Sequence, residues 1–300
     1  MSQRYHVFDG EHEAYRESVR AFVQKELRPH ADEWERAENF PDQTFRRMGA
    51  LGLFGNKFDE AHGGTGAGPV FEAVLIEEVA RCGSGGVAAG LGAHAQIALP
   101  PIASFGTEEQ KARWLAPGIR GEKIAALAIT EPGAGSDVAG ITTRAVRDGD
   151  DYVVNGGKVF ITNGCRADLL VTAVRTGAGG ASAEPDSRGA DPHEGVSFLV
   201  IERGTPGLDQ STRLEKLGWR ASDTGQIFFE DCRVPVANRL GEEGAAFPMI
   251  MANFQWERLA MALGAVIGAE ETLRLAEAYA AERKAFQRPI VRFQVIKHKL

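Results

Sequence analysis

The sequence predicts a multidomain α+β protein: an N-terminal all-α domain over residues 1–121, a middle antiparallel β-barrel domain over 122–240, and the start of a C-terminal α-helical bundle over 241–300. Three observations predict it. Apolar residues recur at three- and four-residue spacing as far as about Gly121; short β-favouring runs broken by Gly, Asp and Asn take over from about Lys123; and the helical spacing returns after Pro235. The 300 residues carry 34 Lys and Arg against 41 Asp and Glu, with 43% hydrophobic and 25% charged residues. That balance suits a globular chain long enough for a sizeable core and excludes collagen, a coiled coil and wholesale disorder.

In the first domain, Tyr15, Val19, Phe22, Val23 and Leu27 share one helix face, as do Phe71, Val74, Leu75 and Val79 on a segment that Pro69 opens. Pro41 opens another helix, and Glu108 to Leu115 follows the turn at Phe105-Gly106-Thr107. From Cys82 to Thr107 there is no formal charge, a length able to span a bilayer. Its glycines, His94, Gln96 and the Pro100-Pro101 pair instead favour a buried helix broken at the prolines, so no membrane span is expected.

The middle domain rests on the runs Ile124 to Ile129, Arg144 to Arg147, Tyr152 to Asn155, Lys158 to Thr162, Leu169 to Arg175, Val196 to Glu202, Arg213 to Lys216 and Gln226 to Glu230. Without helical crossovers between them they point to antiparallel pairing. The Gly-, Ala- and Pro-rich stretch 176–195 reads as a flexible loop. The last helix is expected from about Ala245 to Glu282, with another beginning near Arg292.

Several function classes drop out. A net charge of -7 argues against nucleic acid and anionic membrane surfaces as partners. Cys82, Cys165 and Cys232 form no CxxC pair, which with the charged N-terminus MSQRYHVFDGEHEAYRESVR suggests a reduced, cytoplasmic setting without a leader. The cluster GGTGAG at 63–68 follows no strand and so is a loop, not a dinucleotide fingerprint. The seven histidines lack ligand spacing, and no metal is expected.

Two turns and one helix position carry possible chemistry. Ala128 to Asp137 packs hydroxyl, carboxylate and glycine residues into a turn after a strand, offering N–H groups and hydroxyls to an anionic or heteroaromatic ligand. Lys158 to Gly164 ends another strand with Phe160 and Thr162. Either stretch serves equally as a plain strand-to-turn connection, and the residues alone leave both readings open. Glu257 lies three residues after Phe254, four before Met261 and seven after Ile250, on the apolar stripe of its helix. Burial would raise its pKa from about 4.3 toward the range useful for proton abstraction, though a snorkelling or ion-paired glutamate fits the same wheel.

The segment AITEPGAGSDVAG at 128–140 resembles the flavin-binding signature of the acyl-CoA dehydrogenases. KVFITNG at 158–164, LGWRASDT at 217–224, FEDCRVP at 229–235 and ERKAFQRPI at 282–290 are similar to further motifs of that family, in the same order. The resemblance implies FAD, an acyl-CoA thioester substrate, trans dehydrogenation between Cα and Cβ, and electron delivery to an electron-transferring flavoprotein. It assigns Leu127, Ala128, Ile129, Thr130, Gly135, Ser136, Phe160, Ile161 and Thr162 to the flavin, with Ser136 also toward the CoA. Arg283, Lys284, Phe293 and Gln294 would reach FAD partly across a subunit interface, implying a homo-oligomer, commonly a tetramer or a dimer; Gln287 stands where relatives usually carry Gly.

In many relatives the base lies near the C-terminus, past the position where this chain stops at Leu300, so the resemblance implies closing helices that are absent here. Gln255-Trp-Glu-Arg-Leu259 is similar to the long-chain and isovaleryl subgroup, in which the glutamate of this helix is the base; that gives Glu257 the catalytic role and Gln255 and Arg258 places beside the substrate. Small residues at Gly90, Gly92 and Ala93 suggest a deep cavity and hence a long or medium straight chain rather than isovaleryl. A non-catalytic flavin- or acyl-CoA-binding relative is the reading from a different class.

Overall fold

A computed structural model describes residues 7–176 and 193–300, so most of the loop expected at 176–195 lies outside the described residues. Helix α1 (Gly10–Phe22) starts where the Asp9 carboxylate accepts the N–H groups of Glu11 and His12, satisfying donors that a helix start leaves free. The chain continues through α2 (Ala31–Ala37), α3 (Gln43–Ala50), α4 (Pro69–Ala80), α5 (Gly85–Gly92), α6 (Leu99–Phe105), α7 (Glu108–Gln110) and α8 (Ala116–Ile119). The apolar faces of α1 to α5 and their connections, among them Val19, Leu27, Phe45, Leu75 and Val79, meet in one core, while α6 and α8 pack into a second with the strands that follow.

The uncharged stretch is not broken at its prolines. A π-helical turn at Ala93–Ala98 joins α5 to α6, and Pro100 and Pro101 fall in the first turn of α6, where a missing N–H costs least. That turn buries His94 completely. Its Nδ1 accepts the Ala125 N–H at 3.0 Å, which leaves the proton on Nε2 to be donated to the Gly118 carbonyl at 3.0 Å. Burial lowers His94 to about 4, so it stays neutral and ties the helical half to the first strand.

The middle is a sheet of β1 (Ala125–Ala128), β2 (Arg144–Asp148), β3 (Asp151–Thr162), β4 (Leu169–Arg175), β5 (Val196–Glu202), β6 (Leu208–Arg213), β7 (Thr224–Pro235) and β8 (Arg239–Leu240), in the order β6-β7-β3-β2-β4-β5-β8 with β1 on β4. The expected antiparallel barrel needs correcting on two counts. Among the described residues the sheet does not close, and β1 and β2 both run parallel to β4. β2 meets β4 at a single residue pair, Arg144 with Arg175, so the sheet divides there into two halves that stack rather than wrap.

β4 is buried along its whole length because its two faces serve two cores. Leu169, Val171 and Ala173 pack with Trp114, Leu99 and Phe198, while Leu170 and Val174 face Tyr152, Val154 and Ile227. The runs expected separately at 152–155 and 158–162 form one strand, with a register shift at Gly156. The strand expected at 213–216 lies at 208–213, where the sequence LDQSTR alternates in exposure without an apolar signal.

Beyond the sheet a 37-residue helix, α9 (Ala246–Glu282), packs against α4 and the π turn. The protein thus has helical N- and C-terminal parts around a β-rich middle. Among the described residues no helix is long and apolar enough to cross a membrane.

One buried ion pair fixes the loop that follows β1. Lys158 on β3 is 1% exposed; its Nζ donates to Glu131 Oε1 at 2.7 Å and to the Ile129 carbonyl at 3.0 Å. Glu131 also accepts from the Thr142 N–H and hydroxyl and from the Thr143 N–H. Burial disfavours the Glu131 charge, but Lys158 and these donors outweigh it and hold the carboxyl at about 2, while burial brings Lys158 only to about 8, still charged at neutral pH.

Because the folded pKa of Glu131 lies below its unfolded value of 4.5, its stabilisation is complete above that value and fades as pH falls toward about 2. Lys158→Met strands the carboxylate and is expected to cost about 3–5 kcal/mol in denaturant unfolding at neutral pH. A variant as stable as wild type contradicts this.

Candidate active site

Glu257 sits on the α9 stripe whose other members, Ile250, Asn253, Ala260 and Ile267, are buried. The apolar spacing that folds the helix therefore carries a carboxylate inward. Asn253, one turn earlier, donates to Glu257 Oε1 at 2.5 Å and to the Ile97 carbonyl at 3.0 Å, which fastens α9 to the π turn beside α5. Behind the carboxylate, the Lys57 ammonium lies 4.1 Å from the centre of the Trp256 ring. Glu72 on α4 is 2% exposed and accepts from Asn56 Nδ2 at 3.1 Å.

The electrostatics follow from burial. Desolvation raises Glu257 to about 7 against the opposing pull of Arg258, the Asn253 amide and Lys57. Desolvation lowers Lys57 to about 8, with Glu72 and Glu257 acting against it, and raises the Glu72 carboxyl. Glu257 is thus near its midpoint at neutral pH, able to take and return a proton.

Glu257 opens onto a cavity of about 480 Å³ walled by α4, α5 with its π turn, and α9, with Thr162 and Trp219 entering from the β-rich part. Gly92 and Ala93 line it as expected. Gly90 does not: a Cβ there would come within 2.7 Å of the Phe40 ring, so its small size serves packing.

Thr162 brings one predicted ligand turn to the cavity. Lys158 and Ile161 bracket a ladder irregularity at which Phe160 takes φ 61° and turns its ring outward, 68% exposed, while Ile161 points into the core. The Val159 N–H donates to the Thr130 carbonyl at 2.9 Å, placing the two predicted turns side by side. Ala128 and Ile129 are buried and Leu127 is half-buried, so this segment presents mainly backbone. Gly135 and Ser136 are exposed, and a Cβ at Gly133 or Gly135 would meet nothing within 4 Å.

Other predicted residues stay apart. Gln255 and Arg258 are exposed, Arg258 lying over the Phe254 ring, and neither lines the cavity. Arg283, Lys284, Phe293 and Gln294 lie beyond the far end of α9, about 39 Å along the helix axis from Glu257 at about 1.5 Å per residue. A tight hairpin there puts Phe286 and Gln287 at φ 50° and 65°, the left-handed region that explains why glycine suits position 287.

Sequence reasoning missed Asn253, Lys57 and Glu72. Asn253 had a readable signal, a polar residue one turn from Glu257 on the same stripe; Lys57 and Glu72 reach the site only through the packing of α4 on α9. The Glu131 carboxylate of the 128–137 turn faces inward to Lys158.

Three family models match the chain: acyl-CoA dehydrogenase N-terminal domain over residues 9–122, middle domain over 126–232 and C-terminal domain over 244–300. The mouse (Mus musculus) long-chain specific acyl-CoA dehydrogenase, mitochondrial, is 38% identical over 98% of this chain, which spans 66% of that relative's length. The crystal structure of an acyl-CoA dehydrogenase from Geobacillus kaustophilus superposes with a TM-score of 0.91 at 42% identity, covering 99% of this chain and 75% of that one. A glutaryl-CoA dehydrogenase from Mycobacterium smegmatis, solved in complex with FADH2, is similar with a TM-score of 0.86 at 27% identity over 98% of this chain and 71% of that one.

Removing the Lys57 charge takes away one of the forces that lower the Glu257 pKa. Lys57→Met is therefore expected to move the Glu257 titration, followed by its infrared carboxyl band, from about 7 to higher pH. A midpoint that stays or falls excludes the coupling.

Proposed function

The chain belongs to the acyl-CoA dehydrogenase family, and from that premise we propose that it is a FAD-dependent enzyme in which Glu257 removes the α-proton of a long- or medium-chain acyl-CoA thioester. The observation that carries the reading is the half-buried carboxylate, raised to about 7, on the wall of an apolar cavity.

The residues present fit the cofactor. Phe160 offers an exposed ring for a flat heterocycle, Thr130 and Thr162 stand on the adjoining strand ends, and the open backbone at Gly133 and Gly135 leaves room for a phosphate-bearing tail. Bound FAD would supply the acceptor for the hydride that leaves Cβ. Ser136 would lie toward the phosphates and the CoA, and Gln255 and Arg258 would contact substrate only once the thioester is bound. Arg283, Lys284, Phe293 and Gln294, too distant within one chain, would hold FAD of a second subunit in a homo-oligomer. The electrons would pass to an electron-transferring flavoprotein.

The remaining chemistry belongs to the chain. Asn253 holds the Glu257 carboxyl toward the cavity, and Lys57 keeps enough of it ionised to act at neutral pH. The thioester loses a proton from Cα to Glu257 as hydride leaves Cβ, and the trans-2-enoyl product results. The small residues Ala88, Ala89, Gly92 and Ala93 leave the wall free for a straight chain, whereas an isovaleryl group would leave most of the cavity unfilled.

Anaerobic addition of palmitoyl-CoA to the FAD-loaded protein is expected to bleach the flavin, about 10²- to 10⁴-fold more slowly in Glu257→Gln. The rate should rise with pH through about 7, as Glu257 loses its proton. No bleaching in wild type, equal rates in the variant, or a marked preference for isovaleryl-CoA would contradict the reading.

A further inference from the structure

Lys57 stands beside the base without a direct ion pair. Its ammonium lies 4.1 Å from the centre of the Trp256 ring, next to Glu257 in the chain, and among the described residues it forms no ion pair within 4.0 Å. Trp256 Nε1 is buried and makes no hydrogen bond, so the ring face is what the indole offers the cation. Neither Lys57 nor Glu72 lines the cavity.

Glu72, in the first turn of α4, fixes the segment that carries Lys57. Asn56, the chain neighbour of Lys57, is 3% exposed and donates through Nδ2 to Glu72 Oε2 at 3.1 Å and to the Tyr15 hydroxyl at 3.0 Å. The Asn56 carbonyl accepts the Gly68 N–H at 2.7 Å, and Gly68 is the N-cap of α4. Side chain and backbone thus tie this segment to the start of α4. Glu72 Oε1 is buried and accepts no hydrogen bond. The guanidinium groups of Arg16 and Arg20 on α1 pair with Glu77 and Glu78 instead, and Lys57 is the cation that acts on Glu72.

Few other charges reach the base. Glu257 feels Lys57 from the connection between α3 and α4, and Arg258 and the Asn253 amide from α9 itself. No charged side chain lines the cavity from α4, α5, the π turn or the β-rich part, and Glu271 lies farther along α9. Burial lowers Lys57 to about 8 even with Glu72 and Glu257 pulling the other way, so its charge at neutral pH depends on them.

We propose that Glu72 is a positioning residue of the reaction: from outside the cavity it anchors the Lys57 ammonium beside Glu257 and so governs how readily the base takes a proton. The inference rests on Glu257 being the base. The sign of the effect is distinctive. A carboxylate acting directly on Glu257 would repel its negative charge, and removing that carboxylate would lower the Glu257 pKa. Acting through Lys57 gives the opposite result: without Glu72 the ammonium loses its proton more easily, and Glu257, deprived of that cation, titrates at higher pH.

The test follows the Glu257 carboxyl band by infrared titration in wild type, Glu72→Gln, Lys57→Arg and the double variant Lys57→Arg/Glu72→Gln, with Glu257→Gln identifying the band. Glutamine keeps an acceptor for Asn56, and arginine stays charged whatever stands beside it. Glu72→Gln should raise the Glu257 midpoint from about 7 by about one pH unit, whereas the same substitution made in the Lys57→Arg background should not raise it. In the FAD-loaded protein, flavin reduction by palmitoyl-CoA at pH 7 should slow about fivefold in Glu72→Gln and return to the wild-type rate at high pH, a recovery that a merely loosened site would not show. A midpoint that stays or falls in Glu72→Gln, an equal rise in the Lys57→Arg background, or a loss of rate that persists at high pH would overturn the role of Glu72. A wild type whose flavin palmitoyl-CoA does not reduce would instead overturn the reading of Glu257 as the base.

Discussion

The buried pair between Lys158 and Glu131 is the constraint on which the β-rich side of the site depends. A lysine at 1% exposure must be matched by a negative charge and further hydrogen bonds, and Glu131 supplies the charge while the Ile129 carbonyl accepts a second donor. Because the pair joins β3 to the loop after β1, it brings the Thr130 carbonyl to the Val159 N–H. Phe160 then falls at the ladder irregularity and turns outward, and Thr162, two residues on, reaches the cavity. Both turns that bear the family's motifs are aligned by one interaction that itself touches no ligand surface.

The helical side works by the opposite logic, an incompletely matched charge. Glu257 receives one short hydrogen bond from Asn253 and the influence of Lys57, and desolvation still wins. A fully paired carboxylate would behave as Glu131 does and remain ionised far below neutral pH. The two glutamates differ in partners more than in residue type, which is why one is structural and the other is poised for proton transfer.

Much of this was legible in the sequence. The helix expected from about Ala245 to Glu282 is α9 at Ala246–Glu282, and β4 and β5 have the expected bounds, because long amphipathic spacing and unbroken β-branched runs are strong local signals. The position of Glu257 on an apolar stripe was readable for the same reason. The open mixed sheet was not, since β1 joins β4 across a long stretch of chain and no local pattern encodes parallel pairing. Nor was the helix running on through Pro100 and Pro101, which depends on a π turn. The inward turn of Glu131 depends on a lysine 27 residues away in sequence.

The central claim is that a thioester lies with its α-carbon at Glu257 and its chain along α9. A crystal structure of the FAD-loaded protein with an unreactive long-chain acyl-CoA analogue tests it most directly. The account predicts the α-carbon within reach of the Glu257 carboxylate and the acyl chain inside the cavity, with the flavin ring beside Phe160 and Thr162. A thioester seated away from Glu257, or an acyl chain lying outside the cavity, would contradict it.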